Sequence, residues 1–163
     1  MKIGILSDTH NNLPALHPAL EIFRREGIHQ LFHCGDLTSL DTVPYFEGFR
    51  ITYLLGNMDI ASGAIKKAFL QQNPDNYVGF SFTGKLDGVS IAAGHSHLPD
   101  QIEMFVRKRK YEYIFHGHTH IQRDEMMRKS RIINPGALSG AKRKSICILD
   151  LATGTAEFIT IRE

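Results

Sequence analysis

The chain has 163 residues, 42% hydrophobic and 22% charged, a composition expected of one globular domain over residues 1–163 rather than of a disordered segment. Nineteen Lys and Arg against seventeen Asp and Glu leave a formal charge of +2, too slight to point to nucleic acid or an anionic membrane. The longest unbroken apolar run, Ile146 to Leu149, is far too short to span a bilayer, and no apolar signal core follows Met1, so the expected compartment is the cytoplasm. Cys34 and Cys147 stand outside any metal-type spacing and read as buried small hydrophobes.

Lys2 to Ser7 reads as a short buried strand ending in the polar cluster Ser7-Asp8-Thr9-His10-Asn11-Asn12. Leu13, Leu16, Leu20 and Phe23 then recur at helical spacing, with Pro14 in the first turn and Gly27 as the stop. Pro18 predicts a kink there or a later start. Gln30 to Cys34 and Phe49 to Leu55 are further strands that close on Gly35-Asp36 and Gly56-Asn57. This strand-helix-strand rhythm predicts a largely parallel α/β sheet in the first half.

Ala61 to Asn73 reads as a long loop or a second helix, and Asp100 to Lys110 as a helix. The remaining strand candidates are Tyr77–Thr83, Val89–Ala93, Tyr113–His116, Ile121–Met126, Ile146–Leu149 and Ala156–Ile161. With no repeat or linker in view, two sheets packed together are expected.

Nine histidines, five of them between positions 95 and 120, need a reason. Five polar stretches each follow a strand candidate: Asp8-Thr9-His10, Gly35-Asp36, Gly56-Asn57, His95-Ser96-His97 and Gly117-His118-Thr119-His120. In an α/β sheet the loops beyond the carboxyl ends of the strands converge, so these residues can meet around one ligand. They offer oxygen and nitrogen donors without thiolate, a set suited to Mn, Zn, Fe or Ni. Seven candidate ligands exceed the needs of one ion, whereas two ions roughly 3.5 to 4 Å apart would use them all, with Asp36 as the natural bridge. Taken singly, Asp36 reads as a helix cap and Asn57 as a turn residue. Their place in the ordered series promotes them. His17 and His29 read as surface residues, Arg107-Lys108-Arg109-Lys110 as a solvated helix end, and Asn134-Pro135-Gly136 as either a plain turn or a support for the metal edge.

The ordered series DxH, GD, GN, a lone His and GHTH, from Asp8 to His120, resembles the calcineurin-like metallophosphoesterase superfamily and covers roughly two thirds of the chain. The compact length, Asn134-Pro135-Gly136 and His95-Ser96-His97 resemble its small phosphodiesterase branch, to which the retromer subunit of the same fold is related. The resemblance implies a four-layer α/β sandwich of two mixed sheets flanked by helices. It places Asp8, His10, Asp36 and His120 on one metal, and Asp36, Asn57, His95 and His118 on the other.

By the same resemblance, a hydroxide bridging two divalent ions, manganese foremost, attacks a phosphoester in line. The expected substrate is a small phosphodiester, with nucleic acid disfavoured, no membrane partner and a homo-oligomer left open. Many larger members carry His after the GN asparagine, where this chain has Met58, so proton delivery falls to His97 first, with His33 or a metal-bound water behind it. Asp59 is the candidate for holding a ligand imidazole N–H or a metal-bound water. The competing readings are a non-catalytic scaffold that keeps the fold, as the retromer subunit does, and a mononuclear zinc hydrolase of unrelated fold, which would leave Asp8-x-His10 and Gly56-Asn57 without a role.

Overall fold

The structure, a computed structural model, describes residues 1–162; Glu163, the last residue of the expected domain, lies outside them. The first half alternates strand and helix: β1 (Lys2–Leu6), α1 (Leu13–Arg25), β2 (Gln30–His33), a 3-10 helix over Leu40–Phe46, β3 (Arg50–Leu54), α2 (Ser62–Gln72) and β4 (Tyr77–Gly79). Strands β1 to β4 are all parallel. The chain then builds a second sheet from β5 (Ser81–Leu86), β6 (Val89–Gly94), β7 (Tyr113–Phe115), β8 (Arg123–Met127) and β9 (Ser130–Asn134), with α3 (Gln101–Lys108) between β6 and β7. It returns to the first sheet through β10 (Ser145–Asp150) and β11 (Thr155–Thr160), both added antiparallel. The sheet orders are β11-β10-β1-β2-β3-β4 and β5-β6-β7-β9-β8.

Strand alternation explains the layering. On the first sheet Ile3, Ile5, Phe32, Cys34 and Leu54 face the second sheet, meeting Ile91, Ala93, Phe115 and Ile133. The opposite face presents Leu31, Ile51 and Tyr53 to Leu16, Leu20 and Phe23 of α1 and to Ile65 and Phe69 of α2. Beyond the second sheet, Ala92, Ile114 and Ile132 pack on Ile102, Phe105 and Val106 of α3. The result is helices, sheet, sheet, helix, the expected four-layer sandwich of two mixed sheets. No helix among the described residues is long and apolar enough to cross a membrane.

Three expectations need correction. Of the kink or later start expected at Pro18, the later start does not occur: helix α1 starts at Leu13, because Asn12 accepts a hydrogen bond from Ala15 N and one face buries Ala15, Leu16, Ala19, Leu20 and Phe23. The run Tyr77–Thr83 is two strands in different sheets: Leu55 N donates to Gly79 O on the first sheet, whereas Ser81 pairs with Gly94 on the second. The break falls at Phe80, which is 52% exposed. Strand β9 had no counterpart among the expected strands, since Ser130–Asn134 offers only Ile132 and Ile133 as an apolar signal.

Candidate metal centre

The loops that follow β1, β2, β3, β6 and β7 meet at one edge, where the carboxyl ends of parallel strands point. The first two loops are laced by main-chain bonds from Asp8 N to Gly35 O, His10 N to Asp36 O and Asn11 N to Leu37 O, so the β1–β2 ladder continues past the strands. Five of the seven candidate ligands, Asp8, His10, Asp36, His118 and His120, have φ between +43° and +67°. For non-glycine residues this left-handed backbone is uncommon, and it is concentrated at these loops.

Two glycines of the motifs have a steric reason. A Cβ at Gly56 would overlap Asp36 Oδ1 and lie 2.7 Å from Asp36 N. One at Gly117 would overlap Ser7 Oγ and lie 2.8 Å from both Asp8 Oδ2 and Cys34 O. Gly56 and Gly117 thus let neighbouring loops close on the carboxylates.

Each buried carboxylate divides its oxygens between protein and centre. Asp8 Oδ2 accepts from Ser7 Oγ at 2.5 Å and His118 N at 3.0 Å. Its Oδ1 has no hydrogen bond yet lies 3.1 Å from His120 Nε2 and 3.9 Å from both His10 Nε2 and His95 Nε2. Asp36 Oδ1 accepts from Met58 N at 2.9 Å, while Oδ2 faces His95 Nε2 at 3.3 Å and His10 Nε2 at 3.7 Å. His95 donates Nδ1–H to Cys34 O at 2.5 Å, which turns Nε2 toward Asp36 and, at 3.2 Å, toward Asn57 Oδ1.

Two sets of ligand atoms converge, Asp8-His10-His120 and Asp8-Asp36-His95. The ring of His118 stands 5.0 Å from that of His95, outside both sets. Burial opposes a charged His95, but the hydrogen bond to Asp36 and the charge of Asp8 hold its pKa above the ordinary imidazole value. Burial likewise disfavours the Asp36 carboxylate, and His95 and Met58 N more than offset this, lowering its pKa. Carboxylate oxygens and imidazole nitrogens crowd together here, and Asp8 Oδ1 and His10 Nε2 are buried without a hydrogen bond, an arrangement that cations relieve. The donor set fits divalent metal ions.

The structure reassigns two supporting residues. Asp59 holds no imidazole; its Oδ2 accepts from Asp36 N, Gly56 N and the Tyr53 hydroxyl, and its Oδ1 from Thr38 N. These are the nearest donors in a site where it is 4% exposed. His33 is no proton donor to substrate, being fully buried with Nδ1 accepting from Gly35 N and Nε2 paired with Thr9 Oγ1. Burial lowers its pKa to about 3.

Three supports were missed or left open in the sequence. Ser7 anchors Asp8, Tyr53 anchors Asp59, and Asn134 donates to Gly117 O and Thr119 Oγ1, holding the GHTH loop. Tyr53 and Ser7 carry no motif signal, whereas Asn134 settles Asn134-Pro135-Gly136 as a support. Cys34 faces Phe32 in the core, and burial pushes its thiol well up.

His33 sets an acid limit. The unfolded chain takes up a proton near pH 6.5 that the folded chain refuses down to about pH 3, so stability falls as pH drops through that window. The slope for this group reaches about 1.4 kcal/mol per pH unit. Urea melts of chelated protein at pH 7 and pH 5 are expected to show the loss, and His33→Gln to reduce its slope, the remainder coming from His116, whose pKa burial lowers to about 4. An unchanged slope in His33→Gln would rule out this source.

The fold and the edge together define a metallophosphoesterase. Residues 1–154 match the calcineurin-like phosphoesterase superfamily domain, and the chain belongs to that superfamily, a class of enzymes that hydrolyse phosphoric esters. It is 32% identical over 142 residues to the phosphodiesterase MJ0936 of Methanocaldococcus jannaschii, covering 86% of each chain. A solved archaeal phosphodiesterase superposes with a TM-score of 0.93 at 31% identity, covering 98% of this chain and 99% of the other. Vps29 of Chaetomium thermophilum shares the fold, with a TM-score of 0.69 at 16% identity over 98% and 95% of the two chains.

Proposed function

We propose that the chain is a phosphodiesterase acting on small phosphodiesters with two divalent ions, manganese foremost. One ion is assigned to Asp8, His10, Asp36 and His120, the other to Asp36, Asn57, His95 and His118. The main support is the inward ring of acceptor atoms, in which Asp36 Oδ2 faces imidazoles of both assigned sets. Its likeness to archaeal phosphodiesterase, in sequence and in structure, supports the diester preference.

When bound, the ions supply positive charge to the phosphoryl oxygens and bring the pKa of a water from about 15.7 to about 7. The chain's own residues fix the geometry. Cys34 O orients the His95 ring, Met58 N and Asp59 hold the Asp36 turn, and Ser7 and His118 N hold Asp8. An O–P bond forms opposite the departing ester oxygen, and the P–O ester bond breaks with its electron pair on that oxygen. Met58 has no proton to give it. His97 stands next to His95 and His118 with Nδ1 unpartnered, and we assign it to the leaving side. Burial, then those two imidazoles, hold its pKa below the ordinary value, so at neutral pH it is a weak donor and good leaving groups are favoured.

Chelated protein is expected to leave bis(p-nitrophenyl) phosphate intact, and Mn²⁺ to restore turnover as two equivalents bind, with the matching monoester hydrolysed more slowly. Undiminished turnover after chelation, or saturation at one equivalent, would defeat the proposal.

A further inference from the structure

A recess of about 520 Å³ opens beside His120, lined also by Gln122, Gly140, Lys142 and Arg143, and no carboxylate lines it. Both cations are exposed. At the other end of the centre the surroundings change character. Phe80 lies 6.4 Å from the His97 ring between centroids, and Met58, Phe80 and Leu98 are exposed by 40 to 52%. The row of ligands thus runs from a basic recess at His120 to an apolar rim at His97.

Charge argues for what the recess takes: its lining carries two cations and no carboxylate, so an anionic group on the arm of a bound ester that reaches past His120 is attracted there.

We propose that the recess lined by Lys142 and Arg143 is a subsite for a second anionic group of the substrate. The substrate class is then a phosphodiester with a further phosphate or carboxylate on one arm, the other arm lying along the apolar rim. This rests on the phosphodiesterase reading above and deepens it.

The test compares two probes that differ only in the extra group. Metal-loaded wild type is titrated with thymidine 5′-monophosphate and with thymidine 3′,5′-bisphosphate, and its kcat/KM is measured on the 5′-(p-nitrophenyl) esters of both. The bisphosphate and its ester are expected to be favoured about tenfold, the order of one charge-assisted contact. In the Lys142→Ala/Arg143→Ala double variant both preferences are expected to fall to about one. Ratios are read within each protein, so a general loss of turnover cancels. Equal preferences in wild type and variant would overturn the subsite while leaving hydrolysis standing. Failure of wild type to bind metal or cleave either ester would remove the phosphodiesterase reading and this inference together.

Discussion

Asp36→Asn is expected to lower kcat/KM on bis(p-nitrophenyl) phosphate by about 10³-fold or more while leaving the thermal melt of the chelated protein nearly unchanged. The substitution separates chemistry from folding for two reasons. Asp36 has φ +59°, a left-handed conformation that Asn tolerates better than Ala does. Its Oδ1 accepts from Met58 N, and the Asn amide oxygen can keep that bond. What changes is Oδ2, which becomes an N–H pair turned toward His95 Nε2 and His10 Nε2, now 3.3 and 3.7 Å away. A negative acceptor facing His95 and His10 is replaced by a neutral donor, and if Asp36 is shared by two ions as proposed, metal stoichiometry is expected to fall below two. Turnover within tenfold of wild type, with two ions still bound, would show that Asp36 does not join the two sets.

How far the centre could be read from the chain depends on which residues carry a local signal. Asp8, His10, Asp36, His95 and His120 follow short apolar runs, and polar residues at that point of an α/β sheet have one place to converge. Their neighbourhood was legible for that reason. Of the two partners expected for Asp59, an imidazole N–H or a metal-bound water, the first is not found, because sequence proximity to Asn57 says nothing about the turn geometry, which points its carboxylate at Asp36 N, Gly56 N and Thr38 N. Tyr53 looked like any strand aromatic, and only its register beside the Asp36 loop makes its hydroxyl part of the site. The fold shows the same division. The parallel half was readable from its strand-helix rhythm, whereas the sheet switch at Phe80 lies inside one continuous β-prone run, and β9 is too weakly apolar to announce itself.

Backbone strain at the ligands belongs to what no residue type reveals. Left-handed φ at a non-glycine residue costs about 1 kcal/mol or more, and five candidate ligands carry it. The loops hold because their main-chain groups are tied: to one another through Asp8 N, His10 N and Asn11 N, and to side chains through Asp59 and Asn134. Glycine at Gly56 and Gly117 permits that lacing by leaving room for Asp36 and Asp8. The centre is preorganised by hydrogen bonds that reach it from outside the ligand set.

Asp59→Ala is accordingly expected to have the largest effect on stability of any substitution at this edge, about 3 to 5 kcal/mol. Asp59 is nearly buried and is the acceptor for three main-chain N–H groups and one hydroxyl. Its removal leaves those donors without a partner where water has little access, and each orphaned donor costs about 1 to 3 kcal/mol. Tyr53→Phe provides the comparison, since it takes the hydroxyl from Asp59 Oδ2 and the acceptor from Leu37 N but leaves the Asp36 and Gly56 N–H bonds in place. It is expected to cost about 1 to 2 kcal/mol. Because the two side chains share a bond, the double variant should be less destabilised than the sum of the singles, and urea melts of the four proteins measure that coupling. Metal affinity is expected to fall with Asp59→Ala and to be largely kept in Tyr53→Phe, since the first frees the turn that presents Asp36 and the second does not. An Asp59→Ala protein that melts with wild type and binds metal equally well would mean that the Asp36 turn keeps its left-handed form without that carboxylate.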